Sequence, residues 1–173
     1  MTKERILPIR LFLLDVDGVL TDGRIVYDAN GVESKFFNVK DGFGIKMLQR
    51  AGISVGIISG RRSRVVDNRA AELGITYLYQ NALDKIGPYQ EILEKTGLGD
   101  QQVAYMGDDI VDLPLIQRVG FTAAPADAVS EVRSSVHFVT NNAGGWGAVR
   151  EVCDLLLKEQ GLWEEVTAGY FQS

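Results

Sequence analysis

The chain predicts an α/β fold: a doubly wound parallel sheet with helices on both faces, in one domain spanning residues 1–173. Three observations carry this. Short apolar runs of strand length alternate with segments of helical spacing almost throughout. The first run, Leu11-Phe12-Leu13-Leu14, is continuously apolar, as suits a strand covered on both faces. Most of the strand-like runs then stop at Gly, Ser or Asp, residues that turn a chain.

In order, residues 24–39 read as an inserted β-hairpin, with Ile25-Val26-Tyr27, an Asn30-Gly31 turn, and a return through Val32 to Phe36-Phe37-Asn38-Val39. Asn-Gly between apolar runs is a strong hairpin signal. A helix follows over 41–51, with Ile45, Leu48 and Ala51 on one side, Asp41 available as its cap and Gly52 as its stop. Ile53 to Ile58 is a strand ending at Ser59-Gly60. Ser63 opens a helix that runs to Leu73 and closes at Gly74. Ile75 to Tyr79 is a strand, and Pro88 to Lys95 a helix ended by Gly97. Val103 to Met106 is a strand broken by Gly107-Asp108-Asp109. The alternation continues through 113–119, 121–123, 126–133 and 136–139 to a last helix from Gly147 to about Gln160, and residues 161–173 form a tail carrying aromatics.

With 46% hydrophobic and 24% charged residues, the chain has the material for one substantial core. The first ten residues hold charges and a proline where a signal peptide needs a longer apolar stretch. Cys153 and His137 are each the only residue of their kind, which excludes an internal disulfide and a cluster of soft metal ligands and points to the reducing cytoplasm. A net charge of −5 argues against nucleic acid as the main partner. No apolar run approaches membrane-spanning length.

The chemistry concentrates where strands end. Asp15 and Asp17 follow the first strand two residues apart, so both can point the same way. Carboxylates that close repel unless a proton or a cation lies between them. A hard divalent ion with oxygen ligands, most simply Mg2+, fits. Ser59-Gly60 offers a hydroxyl and free N–H groups for an anion, or a plain strand-to-helix turn. Lys85 can neutralise a transferring phosphoryl group, or be a surface lysine. Asp108, Asp109 and Asp112 can complete an oxygen shell, or cap the next helix. Four such signals at successive strand ends are far less expected by chance than any one alone. Arg61, Arg62, Arg64 and Arg69 crowd one helix start of an acidic chain, where cations oppose the macrodipole unless an anion binds. The Gly-x-x-x-x-Gly-Lys pattern of a nucleotide-binding P-loop is missing from the sequence.

The string Asp15-Val16-Asp17-Gly18-Val19-Leu20-Thr21-Asp22-Gly23, then Ser59, Lys85 and Gly107-Asp108-Asp109 in that order, resembles the signatures of the haloacid dehalogenase superfamily. It is closest to the capless branch of sugar-acid phosphatases that includes the 3-deoxy-D-manno-octulosonate 8-phosphate (KDO 8-phosphate) phosphatases. The resemblance extends through Phe37 to Gly42, Ser59 to Arg61, Arg69 and Ala143 to Val152. It implies that Asp15 is the nucleophile and Asp17 the general acid and base. Ser59 and Lys85 would grip the phosphoryl group. Asp15, the carbonyl of Asp17, and Asp108 would hold Mg2+, with Asp109 or Asp112 behind them. Asn38, Val39, Lys40, Asp41, Gly42, Lys46, Arg61 and Arg69 would join Asp17 and Lys85 in contacting substrate. Lys40 and Lys46 stand where many members carry arginine, as does Trp146, so the particular sugar is less constrained than the reaction. A phosphatase for a nine-carbon sialic-acid-like sugar 9-phosphate is the neighbouring reading, and a phospho-accepting receiver domain the reading from another class. A receiver, however, has no acid two residues beyond its acceptor aspartate. The resemblance also implies a homotetramer, with the hairpins forming a central barrel and the tail reaching a neighbour's cleft.

Overall fold

The structure is a computed structural model describing residues 2–171. Six parallel strands form one sheet: β1 (Leu11–Leu14), β4 (Ser54–Ile58), β5 (Tyr77–Tyr79), β6 (Val103–Met106), β7 (Phe121–Ala124) and β8 (Phe138–Val139), in the order β5-β4-β1-β6-β7-β8. The two remaining strands, β2 (Val26–Tyr27) and β3 (Glu33–Ser34), pair antiparallel as a separate hairpin. Among the described residues, helices flank this one sheet and no second domain covers it.

β1 shows why the sheet must be sandwiched. All four of its side chains are fully buried, and they alternate between two cores. Phe12 and Leu14 pack with α2 (Val39–Arg50), α3 (Arg64–Leu73) and α7 (Ala148–Glu159) through Ile45, Leu48, Val66, Val149 and Val152. Leu11 and Leu13 join the opposite core with Tyr89 and Ile92 of α4 (Ile86–Thr96) and Leu115 of α5 (Leu113–Ile116). Burying a side chain of this size contributes about 1.5–3 kcal/mol. A polar residue anywhere in β1 would therefore damage one core or the other.

Register decides where the chemistry can sit. Leu14 pairs with Ile57 of β4 on one side and Met106 of β6 on the other. All three strands thus run out at one level, and Asp15, Ser59 and Asp108 emerge side by side. From β1 the chain winds outward through β4 and β5, then returns to β6 on the other flank. The strand order reverses beside β1, where open α/β sheets bind ligands.

Several local details depart from the sequence reading. The hairpin strands are two residues each, since an isolated ribbon has little to bury and Phe36 to Asn38 leave the ladder. Its turn is built as expected, with Gly31 at φ +79° and the Asp28 carboxylate accepting from Asn30 and Val32 N–H groups. α2 starts at Val39 and is capped by Asn38, whose side chain accepts from the Lys40 N–H at 2.8 Å, so Val39 belongs to the helix and Asp41 is not its cap. Ser63 precedes α3 as expected but caps nothing with its hydroxyl, which donates to Glu33 instead. A short helix, α1 (Thr2–Ile6), precedes β1, and the tail folds as α8 (Trp163–Phe171). α8 docks on its own chain, with Tyr170 edge-on to Phe43 and accepting from Arg50 at 2.7 Å.

Asp41 has a different task. Only 1% exposed, it accepts hydrogen bonds from the backbone N–H groups of Gly147 (3.3 Å) and Arg150 (2.7 Å). These are the start of α7, whose own cap residue is a glycine. Asp41 therefore caps a helix distant in sequence and ties α2 to α7. Replacing it by alanine leaves buried donors unpaired, so Asp41→Ala is expected to lower unfolding free energy by about 1–3 kcal/mol. Urea denaturation should show a lower midpoint at unchanged slope.

Candidate active site

A cleft of about 310 Å³ opens at the carboxyl edge of the sheet, lined by Asp15, Asp17, Gly23, Ser59, Gly60, Arg61, Lys85, Asp108, Asp109 and Val111. The side chains arrive from four different strand ends. Asp15 and Asp17 follow β1, Ser59 to Arg61 follow β4, Asp108 and Asp109 follow β6, and Lys85 ends the loop after β5. That loop is fastened to its neighbours: Ala82 N–H donates to Ser59 O at 3.0 Å, and Gln80 accepts from Ser63 N–H at 2.7 Å while donating to Asp67 at 2.6 Å. Asn81 takes a left-handed conformation within it (φ 57°), which asparagine tolerates better than most residues.

Asp15, Asp108 and Asp112 bring one carboxylate oxygen each within 4.8 Å of one another. Asp112 is fully buried, and Lys85 is 3% exposed. The Lys85 ammonium donates to Asp112 at 2.6 Å, to Tyr105 Oη at 3.1 Å, and lies 3.0 Å from Asp15. One ammonium thus answers a cluster of three carboxylates, touching two of them. Burial alone would lower the Lys85 pKa, but Asp15 and Asp112 more than offset it and the net shift is upward. Burial raises Asp15 to about 6, with Lys85 opposing and Asp112 adding to the rise. Asp108 is pushed up to about 8 by burial and then by Asp15, Asp112 and Asp109.

This is a cluster short of positive charge, and its donor set is all oxygen. A hard divalent cation fits it better than a softer one. The backbone is shaped for close approach as well: at Gly18 (φ +85°) a Cβ would run into the Asp108 carboxylate. Asp112 also receives the backbone N–H groups of Asp108 (2.9 Å) and Asp109 (3.2 Å) on its second oxygen. It therefore holds the acidic loop from behind, while Asp109 accepts from Ile110 N–H at 2.7 Å and starts a 3₁₀ turn.

Asp17 lies between two cations. Lys35, from just beyond β3, donates to Oδ1, and Arg61 stands 3.9 Å from Oδ2. Glu33 joins the same network, accepting from Arg61 at 3.2 Å and from the Ser63 hydroxyl. Arg61 also donates to Tyr27 Oη at 3.0 Å, yet its Nη1 is buried with no hydrogen-bond partner. An unpartnered buried donor of a guanidinium is costly, and this one lies beside the Asp17 carboxylate in a residue that lines the cleft.

Of the residues singled out in sequence, the cleft gathers Asp15, Asp17, Ser59, Arg61, Lys85, Asp108 and Asp109. Asp112 lies buried behind that lining, in contact with Lys85, and the remaining residues named as substrate contacts lie outside it. Arg69 lines an adjoining groove with Phe37 and Val39, lies over the Phe37 ring and pairs with Glu72 at 3.2 Å. Asn38 lines a separate hollow with Trp146. Val39 and Lys40 are exposed on the first turn of α2, Gly42 is packed against Arg69, and Asp41 is occupied with α7. Lys46 lies two turns down α2 in a pocket with Ser54 and Gly74, toward the opposite edge of the sheet. Sequence reasoning missed Tyr105, Glu33 and Lys35. Tyr105 reads as a strand residue and nothing more. Glu33 and Lys35 left a trace, since residues two apart on a strand share a face.

The layout is that of a metal-dependent hydrolase on an open α/β sheet, and comparison with known proteins agrees. Residues 75–152 match the family model of haloacid dehalogenase-like hydrolases. The 3-deoxy-D-manno-octulosonate 8-phosphate phosphatase KdsC of Escherichia coli K12 is 49% identical over 157 residues, which cover 91% of this chain and 84% of that one. The crystal structure of the Moraxella catarrhalis 3-deoxy-D-manno-octulosonate 8-phosphate phosphatase, in complex with magnesium, phosphate and KDO, superposes with TM-score 0.95 at 39% identity, covering 98% of this chain and 97% of that one. A probable YrbI family phosphatase from Pseudomonas syringae gives TM-score 0.97 at 46% identity, covering 99% and 98%. The chain belongs to the haloacid dehalogenase-like hydrolases, in the family of the 3-deoxy-D-manno-octulosonate 8-phosphate phosphatases.

The raised carboxylates fix a pH dependence. Asp15 and Asp108 hold protons in the metal-free native state at pH values where the unfolded chain, with carboxyls near 3.8, has released them. Stability of the metal-free protein therefore falls as pH rises from about 4 through about 8. A divalent cation competes with those protons and gains most where they are weakest. Thermal melts with Mg2+ and with chelator should show a larger Mg2+-dependent rise in Tm at about pH 8 than at about pH 5.5. An increment independent of pH would overturn the assignment of this cluster to a metal.

Proposed function

We propose that this protein is a Mg2+-dependent phosphatase that hydrolyses 3-deoxy-D-manno-octulosonate 8-phosphate to the free sugar acid and phosphate, in lipopolysaccharide precursor synthesis. The observation that carries the reading is the cleft itself. A nucleophile, an acid two residues on, a hydroxyl, an ammonium and an acidic cluster occupy one mouth, with a partnerless Arg61 donor beside them. Two sets of anion-binding groups side by side, Ser59 with Lys85 and then Arg61, suit a substrate that carries both a phosphate and a carboxylate.

Asp15 attacks phosphorus, forming an aspartyl-phosphate as the bond to the sugar oxygen breaks, and Asp17 gives its proton to that oxygen. Water then attacks the aspartyl-phosphate. Asp17 takes the proton back, Asp15 is regenerated and inorganic phosphate leaves. Ser59 and Lys85 hold the phosphoryl oxygens through both steps. Asp15, Asp108 and the backbone carbonyl of Asp17 would hold Mg2+, with Asp112 behind them, and the ion supplies positive charge against the phosphoryl oxygens. Arg61 binds the carboxylate of the sugar acid. Arg69 and Lys46, outside their own cleft, are read as contacts made toward a neighbouring copy.

We read the chain as a cytoplasmic homotetramer. The hairpin supports this, because Ile25, Tyr27, Val32 and Phe36 are exposed on a two-stranded ribbon with too little core of its own. Trp146 adds to the apolar surface, flanking the same hollow as Phe36 and Phe37. A fully active monomer in light scattering at assay concentration would rule out the assembly.

Activity against a panel of eight- and nine-carbon keto sugar acid phosphates tests the substrate. Asp15→Asn and Asp17→Asn should each lower kcat by roughly a thousandfold or more. Arg61→Ala should lower kcat/KM for the sugar acid by roughly 10- to 150-fold, the worth of a charge-assisted hydrogen bond, with less effect on a phosphate ester that has no carboxylate. Preference for a nine-carbon 9-phosphate would move the substrate while leaving the reaction.

A further inference from the structure

The hairpin places a lysine against the acid-base residue from outside the cleft. The Lys35 side chain is 1% exposed, and its ammonium meets Asp17 Oδ1 and, at 3.5 Å, Glu33. It lines the adjoining groove, with Phe36, Phe37 and Arg69, and not the cleft that holds Asp15, Asp17 and Ser59. Its contact with Asp17 is thus made from behind. The other carboxylate oxygen, Oδ2, lies on the side of Arg61, which lines the cleft.

We propose that Lys35 is a positioning residue for phosphoryl transfer: it pins Asp17 Oδ1 as a hydrogen-bond acceptor, so that the proton exchanged with substrate and water resides on the cleft-facing Oδ2. This rests on the reading of Asp17 as the acid and base. The argument is one of orientation. A carboxyl on a short loop can rotate about its side-chain bonds, and its two oxygens are equivalent until a neighbour distinguishes them. A donor that reaches only one oxygen makes that distinction, because an oxygen accepting from an ammonium cannot also carry the acidic proton toward it.

Glu33 and Ser63 make the arrangement rigid. Glu33 meets both the Lys35 ammonium and Arg61 through Oε1, while its Oε2 accepts from the Ser63 hydroxyl. The two cations that flank Asp17 are therefore bridged by a second carboxylate. A purely mechanical role, pinning the hairpin to the loop after β1, is the competing account. It is a poor use of an ammonium: burying charge is expensive, and an apolar side chain would pin a ribbon at lower cost. The ribbon already has a self-sufficient turn through Asp28 and Gly31.

The two accounts separate by leaving group. An alkoxide must be protonated as it departs, whereas p-nitrophenolate departs without help. The ratio kcat/KM, which reports formation of the aspartyl-phosphate, is to be measured for KDO 8-phosphate and for p-nitrophenyl phosphate. Lys35→Met should lose about 10- to 100-fold on the sugar phosphate, the cost of a misplaced catalytic group, and less than about threefold on the aryl ester. Lys35→Gln, which keeps a donor, should fall between Lys35→Met and the native enzyme. In an Asp17→Asn background, Lys35→Met should cost nothing further, as for residues that act as a unit. Equal losses on both esters, or an additive loss in the double variant, would assign Lys35 to the mechanical role. Native-like turnover of the sugar phosphate by Lys35→Met, with Asp17→Asn inactive, would overturn the inference and leave the acid-base reading intact. Native-like turnover by Asp17→Asn would remove the acid-base reading, and the inference with it.

Discussion

Three carboxylates gathered around one ammonium at the edge of a parallel sheet set the terms for everything near them. Asp15, Asp108 and Asp112 converge because β1 and β6 end in register; Asp15 and Asp112 are buried there and Asp108 is half-buried at the mouth. Lys85 answers part of the charge. The remainder makes the site a trap for a hard cation and keeps two of the acids above their ordinary range. Tyr105 and the two backbone N–H groups on Asp112 are there to keep one carboxylate buried and fixed. The site is thus assembled from hydrogen bonds that stabilise negative charge and from one deliberate shortage of positive charge.

Cations are distributed by distance from that cluster. Lys85 lies within the cluster, Arg61 beside it and Arg69 in the next groove. Arg61 is a half-exposed guanidinium shared among Glu33, Tyr27 and, at 3.9 Å, the Asp17 carboxylate. Glu33 tethers the arginine at the rim of the cleft without taking up all of its donors. A ribbon only four paired residues long is thereby made part of the chemistry.

Much of this was legible in the residues. A continuously apolar Leu11 to Leu14 can only be a strand covered twice, and the acid, hydroxyl, lysine and acid pair that end successive strands must meet once the strands are parallel. The open choice between Asp109 and Asp112 could not be settled that way. Both sit near the same strand end, and only the fold shows that Asp112 turns inward to Lys85 while Asp109 faces its own turn. Asp41 was misread for a physical reason. A carboxylate near a helix start is a natural cap for that helix, and nothing local says that it caps another helix more than a hundred residues away. Arg69 was joined to Arg61 by charge and by the resemblance, and Lys46 by the resemblance; within the chain, helical geometry carries them to an adjoining groove and to the far edge of the sheet. The tail was read as reaching outward, yet Trp163 and Val166 have a place on the core of their own chain.

The loop from Gly144 to Gly147 presses on the loop after β1. A Cβ on Gly144 would strike the carbonyl of Gly18, Gly145 N–H donates to Val19 O at 3.0 Å, and Asn38 donates to Gly145 O at 3.3 Å. The segment that seats the loop of Asp15 and Asp17 follows it by more than a hundred residues, beside α7, whose Val149 and Val152 share the core of Phe12 and Leu14. Those carboxylates therefore reach their final surroundings only once two distant stretches of the chain have met.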